Sequence, residues 1–354
     1  MLRAQRGRWV VHWGMAGVLL AGACLLGGCG SGPPPVPRPS YAFVKRAQMH
    51  MGTLVTLTAV APTDAVAQRA VAEGFRAIRY LEGLWSTWIP ASEVSKINAA
   101  APGTAVAVSP STFTLIARAV EIAGLTEGGF DITLGPVVDA WGMSREPRVP
   151  SPAELERLRP SVAMGAVILD PERQTVTLRQ PGMRLDIGGI GKGYAADLTA
   201  EVMRAQGATA AVVALAGDIR TFGTMPDGAR FPVGIRHPRE NNSVLATIEL
   251  HDEAISTAGD YERAFEQDGT WYHHILDPKT LQPARGCQSV TIIAKEGIWA
   301  DGLDTGVFVM GPERGMALIE ALPDVEGVIV DADGNVQVSS GLRGRLQFPP
   351  TKAP

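Results

Sequence analysis

The segment LDIGGIGKGYAAD, residues 185–197, runs from an apolar strand end through closely spaced glycines into a helical stretch. A turn of this kind exposes backbone N–H groups at a helix start, where phosphate oxygens can sit, so it can cradle a pyrophosphate. It is neither a Walker A motif, which needs Gly-Lys followed by Ser or Thr after a longer loop, nor the spaced Rossmann fingerprint. Taken alone, it reads equally well as a structural turn.

Around this turn, strand-like and helix-like patterns alternate with no internal repeat. Residues 55–60 alternate like a half-buried strand, and 64–84 carry apolar residues at helical spacing behind a Thr63/Asp64 cap. Helices are also predicted at 113–125, 194–206, 301–309 and 314–321, a hairpin at 167–178 around Asp170-Pro171, and strands at 211–215, 233–236 and 289–294. The expectation is a single mixed α+β domain over 41–347, with two lobes around a cleft and a C-terminal tail at 348–354.

Two further segments carry candidate chemistry. In WADGLDT, residues 299–305, Asp301 and Thr305 lie one helical turn apart, so a carboxylate and a hydroxyl can reach one hard cation, with Asp304 alongside. The competing reading is a helix N-terminus with acidic residues placed favourably for its dipole. In WYHHILDPKT, residues 271–280, adjacent histidines on a strand face opposite sides, so at most one faces the cleft and a paired-histidine zinc site is disfavoured. Trp88 could stack on an aromatic ligand, although core packing is the plainer role for a lone tryptophan.

The N-terminal residues read as an export signal over 1–28. Arg3, Arg6 and Arg8 precede an apolar stretch ending in Leu26-Gly27-Gly28-Cys29, which resembles a lipobox with Cys29 as the lipidated mature N-terminus. A plain membrane anchor is the alternative, because the apolar run is near spanning length. Residues 29–40 would form a lipidated tether rich in Ser, Gly and Pro. Once Cys24 leaves with the signal and Cys29 carries lipid, Cys287 stands alone and no intramolecular disulfide is available. The expected location is the periplasmic side of the cell envelope. The net charge of −4 offers no polybasic surface, so no nucleic-acid partner is expected.

The order and spacing of these segments resemble the FAD:protein FMN transferase (ApbE) family across nearly the whole mature chain. The resemblance begins at Met51-Gly52-Thr53, Ser86-Thr87-Trp88 with Ser92, Glu93 and Asn98, and Gly129-Phe130-Asp131-Ile132-Thr133. Beyond the glycine turn it continues through Gly217-Asp218-Ile219-Arg220, Gly259-Asp260-Tyr261-Glu262, His273 to Pro278, and Ala300-Asp301 with Thr305. It implies an ApbE-like, T-fold-related fold whose cleft holds FAD extended between lobes, with Mg²⁺ at the pyrophosphate. Met51, Trp88, Gly129, Phe130, Asp131, Gly188, Lys192 and Ile275 would contact FAD, and Asp301, Asp304, Thr305 and the Gly191 carbonyl would hold the metal. Gly191, Ala216, Ala258 and Asp304 depart from the family's common residues. Asp304, where a small residue is common, either adds a carboxylate to the metal shell or points into solvent.

The activity this resemblance implies is transfer of FMN from FAD to a Thr or Ser hydroxyl of another protein, releasing AMP. His274 is the first candidate to accept the hydroxyl proton, since an ordinary imidazole pKa near 6.5 suits that task. The acceptors would be flavoprotein subunits of membrane redox complexes. An FAD pyrophosphatase and a flavin carrier without turnover are the two alternatives.

Overall fold

Val55, Leu57, Ala59 and Ala61 are all fully buried on one face of the strand Thr53–Ala61 (β2), as their alternation predicts. This strand pairs with Ala42–His50 (β1) through a two-residue turn, Met51-Gly52, with φ of 49° and 71°. Positive φ at both turn residues matches the twist of a tight hairpin, and places Met51 in a conformation that side chains seldom adopt.

Six more strands extend this hairpin in chain order: Ala210–Leu215 (β3), Asp218–Phe222 (β4), Ala254–Gly259 (β5), Cys287–Ala294 (β6), Val325–Asp331 (β7) and Val336–Val338 (β8). All neighbours are antiparallel. The computed structural model describes residues 41–143 and 145–349; the predicted signal, Cys29 and tether lie outside them. Among the described residues no helix is long and apolar enough to cross a membrane.

One face of the sheet carries a helical layer. Asp64–Trp85 (α1) lies on β1 and β2 and is capped by Thr63, whose hydroxyl accepts from the Val66 amide at 3.3 Å. Gly191–Ala205 (α3) lies on β3 and β4, Gly297–Met310 (α4) on β5 and β6, and Pro312–Ala321 (α5) on β7; Pro110–Leu125 (α2) packs against α4. The hairpin formed by Phe231–Arg236 and Val244–Leu250 packs Ile235, Ile248 and Leu250 with Ile255, Ile293, Val328 and Val330 of the sheet. Every residue of β6 is buried as a result. The described residues belong to one compact unit, so the cleft is walled by layers of a single α+β body.

Three helices start three or more residues earlier than their sequence pattern predicts: α2 at Pro110, α3 at Gly191 and α4 at Gly297. For α2 the missed signal is local, a Ser109 hydroxyl accepting from the Thr112 amide at 3.4 Å. The glycines opening α3 and α4 look like turn residues, yet they are helical because the two helices touch backbone to backbone. A Cβ on Gly193 would come 2.1 Å from the Gly297 carbonyl oxygen and 2.6 Å from Asp301 Cβ. Overpacking a contact that cannot yield costs on the order of 1–3 kcal/mol or more. Gly193→Ala is therefore expected to destabilise the fold by at least about 2 kcal/mol, read as a fall of several degrees in Tm by calorimetry.

Candidate active site

The strand end expected at Leu185 is instead an irregular segment after the isolated Leu134–Arg184 bridge; Asn98 holds it, its side-chain amide donating to the Leu185 carbonyl at 2.9 Å and accepting from its N–H at 2.7 Å. That clamp delivers the chain into the glycine turn. Asp186 accepts from the Gly188 amide at 2.7 Å, and the Gly191 amide returns to the Ile187 carbonyl at 2.9 Å. No side chain of its own caps α3; instead Asp301 Oδ2, from α4, accepts from the Gly193 amide at 2.8 Å. The turn thus abuts α4, and a Cβ on Gly189 would lie 3.3 Å from Thr305 Oγ1.

Asp301, Asp304 and Asp218, which opens β4, each offer an oxygen within 4.8 Å of the others, and all three are buried. Lys192 Nζ pairs with Asp218 and lies 3.7 Å from Asp301 Oδ1. Burial, reinforced by the Asp218 charge, pushes the Asp301 carboxyl well up; burial with Asp301 and Asp218 does the same to Asp304. Burial alone would lower the Lys192 ammonium, yet the charges of Asp218 and Asp301 outweigh it and hold its pKa above the ordinary value. Ser256 Oγ lies 2.5 Å from Asp218 Oδ1 and 2.6 Å from Asp304 Oδ2. Its single hydroxyl proton serves one of these contacts at a time, so Ser256 bridges the two carboxylates.

This donor set fits a hard divalent cation. Oxygens around one Mg²⁺ at about 2.1 Å sit no more than about 4.2 Å apart, a small adjustment from the present spacing. Three ionised carboxylates against one ammonium leave two negative charges, which one divalent ion offsets. Asp304 therefore faces the cluster and not solvent. Asp301 sits in the second turn of α4 with its carboxylate directed to α3, so the helix-dipole reading of this segment does not hold.

Above the cluster opens a cleft of about 1300 Å³. Its lining contains Met51, Trp88, Gly129, Phe130, Asp131, Gly188, Lys192, His274 and Ile275, together with Gly191, Asp301, Asp304 and Thr305. The Met51 amide donates to Glu82 Oε1 at 2.7 Å, which anchors the β1–β2 turn at the cleft wall. Trp88 is 63% exposed, with the Arg145 guanidinium 4.3 Å above its ring, so the core-packing role does not hold. Asp131 is turned onto its own loop, with Oδ1 accepting from the Thr133 amide at 2.7 Å and its hydroxyl at 2.6 Å.

The two histidines separate, though not by strand alternation: the strand Thr270–His273 ends at His273, and His274 follows in a bend. His273 is buried, with Nε2 2.8 Å from the Ala284 carbonyl oxygen, while His274 lines the cleft. The expectation of an ordinary imidazole pKa at His274 is corrected: burial, then the Arg263 charge, lowers it to about 4. Its Nδ1 is buried with no hydrogen-bond partner, so the neutral ring keeps an unused nitrogen. Two residues of the cluster escaped the site reading of the sequence. Asp218 stands in the sequence as one member of a Gly-Asp-Ile-Arg stretch, and an acid just past an apolar strand is the signal that points to it; Ser256 carries no comparable local signal.

Because the unfolded His274 titrates near 6.5 and the folded one near 4, the unfolded chain takes up the proton first. This residue's contribution to stability is thus intact above pH 6.5 and falls by about 3 kcal/mol on acidification towards pH 4. Comparing denaturant melts of the parent and His274→Gln should show the parent losing more stability across that window. Equal losses would contradict the burial assigned to the imidazole.

Residues 51–329 match the model of the ApbE family. A Vibrio cholerae FAD:protein FMN transferase is 40% identical over 241 residues, covering 67% of this chain and 72% of that protein. The Treponema pallidum FAD:protein FMN transferase is 32% identical over 360 residues, covering 95% of this chain and 96% of its own length. Among solved structures, the ApbE protein of Thermotoga maritima superposes with a TM-score of 0.79 at 31% identity, covering 86% of this chain and 99% of that one. The flavin transferase ApbE of Vibrio cholerae gives a TM-score of 0.78 at 31% identity, over 86% and 100% of the two chains. With its fold and most of its length matched in this way, the chain belongs to the ApbE family.

Proposed function

We propose that this chain is an FAD:protein FMN transferase that joins the FMN half of FAD to a Thr or Ser hydroxyl of a partner protein and releases AMP. The observation that carries the reading is the buried Asp218/Asp301/Asp304 cluster beside the glycine turn, at a cleft larger than the roughly 300–1,000 Å³ usual for small ligands. Relatives bearing that activity by name, over most of this chain's length, support it.

In this reading, Asp218, Asp301, Asp304 and Thr305, with the Gly191 carbonyl, hold Mg²⁺, which would offset the charge on the pyrophosphate as its ester is exchanged. Lys192 adds a fixed positive charge beside the same phosphates. Exposed Trp88 offers a ring face to the flavin, and Met51 and Ile275 offer apolar walls. The acceptor hydroxyl attacks the FMN-side phosphorus; the P–O bond to the AMP half breaks, and the hydroxyl proton leaves on a base. His274, which lines the cleft, is the candidate for that base. Its low pKa keeps the ring neutral at working pH but makes it a weaker base than a free imidazole, so holding and orienting the hydroxyl is the larger part of its work.

The same reading places the enzyme outside the cytoplasm, lipidated at Cys29 and acting on flavoprotein subunits of membrane redox complexes. Cys29→Ala should release it from the membrane fraction without changing transfer in solution.

The decisive assay combines the protein, FAD, Mg²⁺ and an acceptor carrying a D-G-x-T-[SA]-T segment. Fluorescent flavin bound covalently to the acceptor, lost on chelation, is the expected product. Free FMN with unmodified acceptor would make the chain a hydrolase, and intact FAD a carrier. Asp301→Asn should lower kcat/KM at least about 100-fold while the protein stays folded by circular dichroism.

A further inference from the structure

Asp197 lies outside the cleft. With Tyr194, Leu198 and Glu201 it forms a face of α3 that lines a separate cavity of about 320 Å³, together with Arg118 and Arg220. Its carboxylate oxygens accept from the Gly297 amide at 2.7 Å and the Ile298 amide at 2.9 Å. These are the first amides of α4, a helix whose own preceding residue, Glu296, provides no side-chain cap. Asp197 Oδ1 also lies 3.3 Å from Nε of Arg220, which sits on β4 two residues past Asp218.

One carboxylate therefore ties together the three elements that bear the cluster: α3 with Lys192, α4 with Asp301, Asp304 and Thr305, and β4 with Asp218. The tie is reciprocal, because Asp301 of α4 takes the Gly193 amide of α3. Helix ends fray most readily where amides lack partners and where glycine opens the first turn. Residues 297–300 are that turn in α4, and Asp301 is the next residue. Loosening it moves the carboxylate that must face Asp218, and a ligand set loses grip when its members shift by about 0.5 Å.

We propose that Asp197, paired with Arg220, is a positioning residue: by capping α4 from α3 and bridging to β4, it sets the spacing of Asp218, Asp301 and Asp304 and hence the affinity for a divalent cation. The inference rests on the reading of that cluster as a cation site. An asparagine at 197 can still accept from one amide, but its NH₂ group cannot accept from the second or pair with a guanidinium.

The test is direct Mg²⁺ binding to the full chain by titration calorimetry, without FAD or acceptor, alongside thermal melts. Asp197→Asn is expected to raise the Kd for Mg²⁺ about 10-fold. Arg220→Gln should raise it less, and the double variant should fall short of the product of the two, because the residues share one contact. In the transfer assay, Asp197→Asn should need more Mg²⁺ for half-maximal rate, yet recover its kcat at saturation. Thr63→Ala, which removes the N-terminal cap of α1, a helix that bears no cluster residue, should lower Tm and leave the Mg²⁺ Kd unchanged.

A parent chain that binds no Mg²⁺ overturns the cation-site reading and this inference with it. A parent that binds, beside an Asp197→Asn protein that melts earlier but binds equally well, overturns this inference alone. If Asp197→Asn does not fold, Arg220→Gln decides, and an unchanged Kd there overturns the proposal.

Discussion

The site depends on the close contact between the N-terminal ends of α3 and α4. Gly193 and Gly297 let the two backbones meet, and each helix takes its missing cap from the other: Asp301 on the Gly193 amide, Asp197 on the amides of Gly297 and Ile298. The contact satisfies buried amides that would otherwise cost about 1–3 kcal/mol each. It also brings a glycine turn able to receive phosphate against a helix lined with carboxylates. A side chain at either glycine would push these elements apart before any ligand arrived.

Electrostatic tension concentrates at the same place. Asp218, Asp301 and Asp304 face one another out of water, and Lys192 offsets only part of their charge. The fold tolerates this because Ser256, Thr305 and the Gly193 amide hydrogen-bond to carboxylate oxygens. Buried like charges are costly for stability alone, which makes them informative about chemistry. His274 shows the opposite economy, since burial keeps it neutral and leaves one nitrogen unengaged.

Much of the architecture was legible along the chain because its signals are local. The alternation at Val55, Leu57 and Ala59, the Thr63 cap of α1 and the hairpin at 167–178 all need only neighbouring residues to be read. That Asp301 and Thr305 both line the cleft was legible because i and i+4 share a helix face. The early starts of α3 and α4 were not, because their caps come from residues about one hundred positions away. Asp218 and Ser256 went unassigned for the same reason: nothing in their own stretches says that two other carboxylates fold against them.

By itself, the sequence determined the element types, the mixed α+β class, the glycine turn and the residues able to bind phosphate or a cation. These follow from periodicity, backbone freedom and side-chain chemistry, which act over a few residues. Only the tertiary structure decided which of those residues share a space, that Asp304 faces the cluster, that Trp88 stands exposed at the cleft, and that His274 is a weak base. Those properties arise from desolvation and from charges a few ångströms away, and both exist only once distant segments have packed together.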